Sequence, residues 1–376
     1  MSDTADYLFC MPCLLEGAML AEGEYLYDMN KIVDLDNPWW CKPFNDALTI
    51  NGASYMAAGD IGMVSRDATL FVGFNKKMAE SNHITDKYGC KDLYEMVDKK
   101  LWTQDVMFEM AKSVYQDINQ NNICDVGDIN GLSGQDGIVY WLLKTGGENI
   151  CENDETGYPH LVVKNERAIS LIEQAQDYFQ DPQNGFMCAD DYFSQSQIPV
   201  SDILVPEFKA DRCLFFMNAL LNLKLIRDME SDFGILPCPM YDKDQKTYIS
   251  NVGAWSSDAI CVPLSTKEED LELTRHVIEC LGAISIEKLT PVYYEQTLQY
   301  QISRDDDSMR MLDIIFANRT PDMAETFRWG QMPSAVVSMS KKPKGSFVSA
   351  YEAIEEATET AIAETVKSFR EMQENG

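Results

Sequence analysis

The clearest pattern of apolar and polar positions lies in the middle of the chain. A short apolar run over residues 213–217 predicts a buried strand. Leu221, Leu225 and Met229 then recur at the spacing of one helix face. A second apolar run, Phe233–Leu236, ends before two prolines, which cannot donate to a sheet ladder. Strand, helix and strand in this order predict a parallel sheet covered by helices, which is an α/β fold.

Similar patterns predict further elements on both sides of this unit. Helices are predicted over residues 14–26, after the N-cap Thr103, over 140–150, 166–179 and 271–281, and along a C-terminal stripe that ends at Phe369. Strands are predicted over residues 6–9, 53–58, 69–74 and 252–264. No apolar run approaches the roughly 18 residues that a transmembrane helix needs.

Composition and charge narrow the classes of function. The chain has 376 residues, enough for two domains, and its 45% hydrophobic and 24% charged residues are ordinary for a globular protein. Its net charge of −30 repels phosphate backbones and anionic lipid. Nucleic acid and membrane surfaces are therefore excluded as expected partners.

Short motifs are spread along nearly the whole chain. The central unit reads FKADRCLFFM and then FGILPCP, and the N-terminal part carries PWW, NGASY, GD and FNKKM. Together these motifs resemble the extracellular solute-binding proteins of ABC importers, the maltose-binding-protein-like group. Asp211 stands where that group usually has glycine. The resemblance implies a two-lobe, periplasmic-binding-protein-like (type II) α/β fold. Each lobe is a sheet flanked by helices, and the ligand is held in the cleft between the lobes.

The resemblance also implies where the lobes divide. Lobe 1 is expected over residues 1–98 and 258–305, and lobe 2 over 99–252 and 306–376, with crossings near 96–102, 250–260 and 300–310. The family opens with an export signal and further sheet strands, so lobe 1 is expected to be incomplete at its N-terminus. No basic-then-apolar leader precedes Asp3. An extracellular, lipid-anchored location is implied by the resemblance alone.

The function implied by the resemblance is capture of a small solute, most often a sugar or oligosaccharide, for an ABC permease. The protein is expected to act as a monomer, without catalysis and without a required cofactor. Polar groups orient sugar hydroxyls, and aromatic faces suit sugar C–H surfaces. The family's cleft regions imply these ligand-binding residues: Arg66, Asp67, Gln135, Asp136, Asn218, Trp255 and Trp329. Trp39 and Trp40 could form a sugar platform, but anchoring of the Pro38 turn is favoured.

One loop has the ligand spacing of an EF-hand. The ligand positions are Asp117, Asn119, Asn121, Ile123, Asp125 and Asp128. Asn122 replaces the turn glycine, and Asp128 replaces the bidentate glutamate. Two interpretations of this loop remain: it binds a structural calcium ion, or it is an Asx-rich turn without a metal.

Two enzymatic alternatives remain. A glycoside-active enzyme needs only a pair of carboxylates, and the chain has 61 Asp and Glu residues. Cys10 and Cys13 form a CxxC, which is typical of thiol oxidoreductases, although only nine residues precede it. The sequence contains no G-x-S-x-G, Walker loop or G-x-G-x-x-G. These absences favour binding over catalysis.

Overall fold

The computed structural model describes residues 8–299 and 306–375. Its main sheet has the strand order β5-β2-β6-β1-β7, and two small two-stranded sheets pair β3 with β4 and β8 with β9. The strands are β1 (Leu70–Asn75), β2 (Asn130–Gly134), β3 (Cys151–Asn153), β4 (Pro159–Leu161), β5 (Phe186–Cys188), β6 (Cys213–Ala219), β7 (Phe233–Leu236), β8 (Ser250–Asn251) and β9 (Arg319–Thr320).

Helices surround these sheets, and among the described residues none of them is both long and apolar enough to cross a membrane. They are α1 (Leu14–Glu22), α2 (Lys42–Leu48), α3 (Val64–Asp67), α4 (Lys76–Ser81), α5 (Leu93–Asp98), α6 (Gln104–Val114), α7 (Ile138–Thr145), α8 (Glu166–Gln180), α9 (Asp190–Ser196), α10 (Val200–Lys209), α11 (Leu223–Ile226), α12 (Leu271–Ile284), α13 (Thr290–Gln299), α14 (Asp306–Ala317), α15 (Met323–Thr326), α16 (Met332–Val337), α17 (Phe347–Glu352) and α18 (Glu355–Asn375).

The centre of the main sheet is β1, and every one of its residues is buried. It pairs antiparallel with β6 on one side and with β7 on the other, so that Val72 lies opposite both Met217 and Leu236. A strand covered on both faces is expected to be apolar at successive positions rather than at alternate ones. The sequence LFVGFN meets that requirement.

The central unit predicted from the sequence is confirmed in type but not in detail. Since β6 and β7 both run antiparallel to β1, they are parallel to each other, as predicted, yet β1 separates them. The helix predicted over residues 220–229 is shorter, because a 3₁₀ turn occupies Leu220–Asn222 and α11 ends at Ile226. The longer helices α8 and α12 begin at the predicted residues.

The lobe boundary expected near 96–102 falls inside this hydrogen-bonded unit. Residues 70–75 were assigned to lobe 1, but as β1 they pair with β6 and β7, which were assigned to lobe 2. Sheet pairing therefore joins residues 70–75 to strands of the expected lobe 2, and the division into two lobes stays a prediction. Of the crossing expected at 300–310, residues 300–305 lie outside the described residues.

The return segment, residues 252–263, is not the continuous strand that the sequence predicts. It makes single antiparallel bridges instead, and its partners are Thr69, Cys13, Ala57, Cys10 and Leu26. Residues 53–58, also predicted as a strand, likewise form isolated bridges. Residues 6 and 7 of the strand predicted over 6–9 lie outside the described residues.

The two tryptophans of the PWW motif anchor this part of the molecule. The Trp39 indole N–H donates to Glu279 Oε2 at 2.7 Å, and its ring lies so close to Gly282 that a Cβ there would meet it at 2.3 Å. Trp40 is buried in an apolar cluster with Met29. Their contacts agree with the anchoring interpretation.

Asp211 has a backbone conformation that glycine adopts most readily. It precedes β6 with a φ of +57°, the left-handed region that costs little only for glycine. Its carboxylate accepts hydrogen bonds from Asn75 Nδ2 (2.6 Å), Lys77 Nζ (2.7 Å) and Ser231 Oγ (2.7 Å). Partial burial acts to raise the pKa of Asp211, but these hydrogen bonds outweigh it and lower the pKa. The three bonds connect the ends of β1, β6 and β7.

We expect Asp211→Ala to destabilise the protein by about 1–3 kcal/mol, because it removes these hydrogen bonds and puts at positive φ a residue that tolerates this conformation less well than aspartate does. Asp211→Gly should recover about 1 kcal/mol of that loss. The lowered pKa contributes stability above the unfolded-state value of about 4, and that contribution is lost as the pH falls through the folded-state pKa. Urea unfolding at pH 7 and pH 3 measures both effects.

The exposed neighbour Asp232 provides the control, since Asp232→Ala should change stability by less than about 0.5 kcal/mol at either pH. A penalty for Asp211→Ala that is the same at pH 3 and pH 7 would contradict the electrostatic part of this account.

Candidate functional site

One edge of the main sheet gathers most of the predicted ligand-binding residues. β2 and β6 run parallel with Ser133 opposite Phe216, so Gln135 and Asn218 reach the same edge. β1 runs the other way and begins there, because Leu70 lies opposite Ala219. In open α/β sheets, ligands bind outside the carboxyl ends of parallel strands. We call this edge, with Arg66, Asp67, Gln135, Asp136 and Asn218, the cleft edge.

The return segment joins the cleft edge through backbone contacts. Thr69, directly before β1, forms a bridge with Val252, and the Gly253 N–H donates to the Ala68 carbonyl at 3.2 Å. Trp255 follows two residues later with 70% of its surface exposed. The Arg328 guanidinium carbon lies 4.5 Å from the centre of its ring. Trp255 therefore provides an exposed aromatic surface next to the polar residues of the cleft edge.

Arg66 is buried and already paired. Its guanidinium forms an ion pair with Asp60, which also accepts a hydrogen bond from the Thr290 hydroxyl at 2.9 Å. The ring of Phe316 lies 4.9 Å from the guanidinium carbon. Within the described residues, Nε of Arg66 has no hydrogen-bond partner. Arg66 thus connects α3 to α13 and α14, and most of its charge is neutralised by Asp60.

Asp67 and Asn218 are held in place by hydrogen bonds. The Tyr293 hydroxyl donates to Asp67 Oδ1 at 2.7 Å. Asn218 Oδ1 accepts from the Ala219 N–H and from Asn222 Nδ2, both at 2.8 Å. Asp67 remains partly exposed, whereas Asn218 is buried.

Gln135 and Asp136 lie at the start of α7 and are partly exposed. The Asp136 N–H donates to Asp190 Oδ2 at 2.8 Å, which brings two acidic groups together. Burial and the charge of Asp190 raise the pKa of Asp136. Lys341 lies 3.9 Å from Asp136 and 2.9 Å from Asp191. This end of the cleft edge is a small network of acidic groups with one lysine.

Trp329 is placed differently from Trp255. It is fully buried, its ring is stacked on Phe327 with 5.3 Å between centroids, and its N–H donates to the Thr365 hydroxyl of α18 at 2.8 Å. In this arrangement no face of the Trp329 ring is open to a ligand. The structure brings the other six predicted residues to the cleft edge or to the adjoining return segment.

Sequence reasoning missed a largely buried group of ionisable residues beneath the return segment, in which Glu325 is partly exposed. Glu325 Oε2 accepts hydrogen bonds from the Tyr140 hydroxyl and the Ala254 N–H, both at 3.4 Å. Burial, with the nearby charge of Asp322 as the next cause, raises the pKa of Glu325 to about 7. Lys144 is also buried, and burial lowers its pKa. The polar FRWG and TPDMAE sequences gave no signal that would distinguish Glu325 from the other acidic residues.

Three cavities of the described residues lie away from the cleft edge. The first, about 700 Å³, lies between residues 30–49 and α12, and Trp39, Arg275 and Glu279 are among its lining residues. The others, about 310 and 520 Å³, are lined by Tyr55 and Leu264 and their neighbours, and by α4, α5 and Asp307. None of these three is lined by a predicted ligand-binding residue.

The EF-hand-like loop is closed by its own hydrogen bonds. Asp117 accepts the backbone N–H groups of Asn121 (3.2 Å) and Asn122 (2.8 Å). Asn122, in the place of the usual glycine, has a φ of +60°. The loop therefore makes the turn that an EF-hand loop needs.

In the structure, the candidate ligand side chains of this loop make hydrogen bonds within the loop. The side-chain amides of Asn119 and Asn121 donate to Asp125 at 3.0 and 2.7 Å, and the buried Asp128 accepts the N–H groups of Ile118 and Asp125. In the part of the chain that the structure describes, no three His, Cys, Asp or Glu residues are grouped closely enough to hold a metal ion. The oxygen donors suit calcium chemically, but this conformation is an Asx-rich turn.

Neither a protein-family model nor a curated protein matches the sequence. Solved structures do match the fold. MalE from Listeria monocytogenes, a maltose-binding periplasmic protein in complex with maltose, is 13% identical, with 96% of this chain and 84% of that chain covered and a TM-score of 0.54. UgpB from Mycobacterium tuberculosis, in complex with glycerophosphocholine, is 12% identical, with coverages of 94% and 83% and a TM-score of 0.59.

A cyclo/maltodextrin-binding protein complexed with maltotetraose is 13% identical, with 98% of this chain and 82% of that chain covered and a TM-score of 0.55. At these identities the likeness concerns the fold. It confirms the periplasmic-binding-protein-like α/β fold class that the sequence predicts.

The partly buried Glu325 should make stability pH-dependent. A carboxyl whose pKa is raised by folding contributes most stability below its unfolded-state pKa of about 4.3, and loses it as the pH rises through the folded-state value. We therefore expect Glu325→Gln to gain stability relative to the wild type between pH 5 and pH 7, by at most about 1.4 kcal/mol per pH unit. Denaturant unfolding across this range measures the gain.

The exposed Glu356 of α18 supplies the matched control, since Glu356→Gln should show no such trend. A Glu325→Gln variant whose stability follows that of the wild type at every pH would show that Glu325 is ionised in the folded protein.

Proposed function

We propose that the protein binds a small solute, a saccharide or a similar polar molecule, and delivers it without chemical change. The observation that carries the proposal is the exposed ring of Trp255 beside the polar cleft edge. An aromatic face packs against the C–H surface of a sugar, while nearby polar groups orient the hydroxyls. The fold supports this assignment, because MalE and the cyclo/maltodextrin-binding protein are solved with maltose and maltotetraose.

The charge distribution favours a neutral ligand. The net charge of −30 repels an approaching anionic ligand at long range. Arg66, the cation predicted at the cleft, is paired with Asp60 and so offers little attraction. Arg328, over Trp255, and Lys341, beside Asp136 and Asp191, are two basic side chains to which an anionic ligand such as a phosphodiester would bind.

The alternative function is a glycoside-active enzyme, and Glu325 is the residue that supports this alternative. A carboxyl group with a pKa near 7 can act as a general acid. Its oxygen is instead bonded to Tyr140 and to the Ala254 backbone beneath the return segment, and Asp322 beside it is buried. Both carboxyls accept hydrogen bonds from other groups of the protein, which favours solute binding over hydrolysis of the solute.

Delivery to an ABC permease, an extracellular lipid-anchored location and a monomeric state complete the proposal. They rest on the resemblance of motifs such as FNKKM and FGILPCP and on the shared fold. Calcium is a separate proposal for the loop from Asp117 to Asp128. Binding there requires Asn119 and Asn121 to release Asp125 and turn their carbonyl oxygens to the ion. The role would be structural.

Thermal-shift measurements with maltose, maltotriose and maltotetraose test the ligand class. We expect at least one saccharide to raise the melting temperature, since a ligand that binds only the folded state stabilises it. Trp255→Ala should weaken that ligand about fivefold, which corresponds to a loss of about 1 kcal/mol of stacking. Tyr25→Ala, at an exposed aromatic beside Leu264, is the matched control and should leave affinity unchanged.

Other outcomes are equally informative. A response only to glycerophosphocholine, phosphate esters, amino acids or peptides would keep the fold and refute the saccharide class. Chromatographic detection of product after prolonged incubation with a saccharide would overturn the binding-only function.

For the loop, we expect millimolar calcium to raise the melting temperature modestly and Asp117→Ala to abolish that rise without changing solute affinity. Asp86→Ala, at an exposed aspartate outside the loop, should retain the rise. No shift in the wild-type protein at millimolar calcium would identify the loop as a turn alone.

A further inference from the structure

The N-terminal segment, residues 10–13, pairs with the return segment by antiparallel bridges. Cys10 lies opposite Cys261, and Cys13 lies opposite Asp258. The Cys10 N–H donates to the Cys261 carbonyl, and the Cys261 N–H donates to the Cys10 carbonyl, each at 2.9 Å. This reciprocal pattern identifies Cys10 and Cys261 as a directly opposed, hydrogen-bonded pair.

The geometry of such a pair suits a disulfide. Opposed residues that exchange both backbone hydrogen bonds have Cα atoms about 5.5 Å apart, and disulfides span about 4.4–6.8 Å between Cα atoms. Cys10 is partly exposed and Cys261 is buried, so a reagent reaches the pair through Cys10.

We propose that Cys10 and Cys261 are a redox-active dithiol that forms a reversible cross-strand disulfide by exchange with a low-molecular-weight disulfide such as oxidised glutathione. The site connects the N-terminal segment covalently to the return segment. It is distinct from the CxxC pairing of Cys10 with Cys13 that the sequence suggests.

Backbone geometry excludes the CxxC pairing in the folded protein. The two bridges are three residues apart on each strand, so residues 10–13 run extended. At a rise of about 3.3 Å per residue, the Cα atoms of Cys10 and Cys13 are about 10 Å apart. A disulfide cannot span more than about 7 Å between Cα atoms without movement of the backbone.

The chemistry proceeds in two exchange steps. The hydrogen bond with Cys261 lowers the pKa of Cys10 against the opposing effect of burial, which favours the Cys10 thiolate. That thiolate attacks one sulfur of oxidised glutathione, forming a mixed disulfide and releasing one glutathione thiolate. Cys261 then gives its proton to the released glutathione thiolate, and its sulfur attacks the Cys10 sulfur and releases the second glutathione. Two protein thiols are oxidised and one glutathione disulfide is reduced to two thiols.

The experiment incubates the native full chain with oxidised glutathione, blocks the remaining thiols by alkylation and identifies linked peptides by mass spectrometry after proteolysis. We expect a peptide containing Cys10 joined to one containing Cys261, and its loss on reduction with dithiothreitol. The disulfide closes a loop that contains most of the chain, so the oxidised protein should also melt at a higher temperature than the reduced protein.

Variants separate the possible pairings. Cys13→Ser is the matched control and should form the same linkage, whereas Cys10→Ser should abolish both the linkage and the thermal shift. Cys261→Ala keeps a small apolar side chain at the buried position and should leave Cys10 carrying a stable glutathione adduct. Linkage of Cys10 to Cys13, a stable adduct on Cys10 in the wild type, or linkage only after unfolding in urea would each overturn the proposal.

Discussion

The insertion of β1 between β6 and β7 is the constraint on which the rest of the molecule depends. Its six buried residues fill the centre of the main sheet and satisfy the backbone hydrogen bonds of two strands from a later part of the chain. The same pairing fixes where α3 ends, and therefore where Arg66 and Asp67 lie. Thr69, between α3 and β1, bonds to the return segment and brings Trp255 beside them. Without β1, the cleft edge would lose one of its sides.

Local pattern was sufficient to predict β1, β6, β7, α8 and α12, because each buries a face that the chain itself makes apolar. Local pattern was not sufficient to predict which strands pair with one another in the sheet. The apolar run of β1 shows that the strand is covered on both faces, but nothing in its periodicity indicates that it separates β6 from β7. Which strands share a sheet depends on hydrogen bonds between residues far apart along the chain, and local pattern does not reveal these bonds.

The same limit applies to the candidate site, where the sequence gives the type of each residue but not its surroundings in the folded protein. Trp255 and Trp329 are the same residue in similarly polar surroundings, yet one is exposed and the other is covered by Phe327 and α18. The sequence identified Arg66 as a polar contact but did not reveal that Asp60 neutralises it. Glu325 was one acid among 61, and only its hydrogen bond from Ala254 and its raised pKa make it distinctive.

The position of β1 also imposes an order on biosynthesis. The ribosome synthesises β1 before β6 and β7. The strand therefore emerges with both of its hydrogen-bonding edges unpaired and its apolar faces exposed to water. Non-local pairing of this kind slows folding, and an unpaired apolar strand is prone to join strands of other chains. Residues 70–75 therefore remain without either of their sheet partners until translation has passed residue 236.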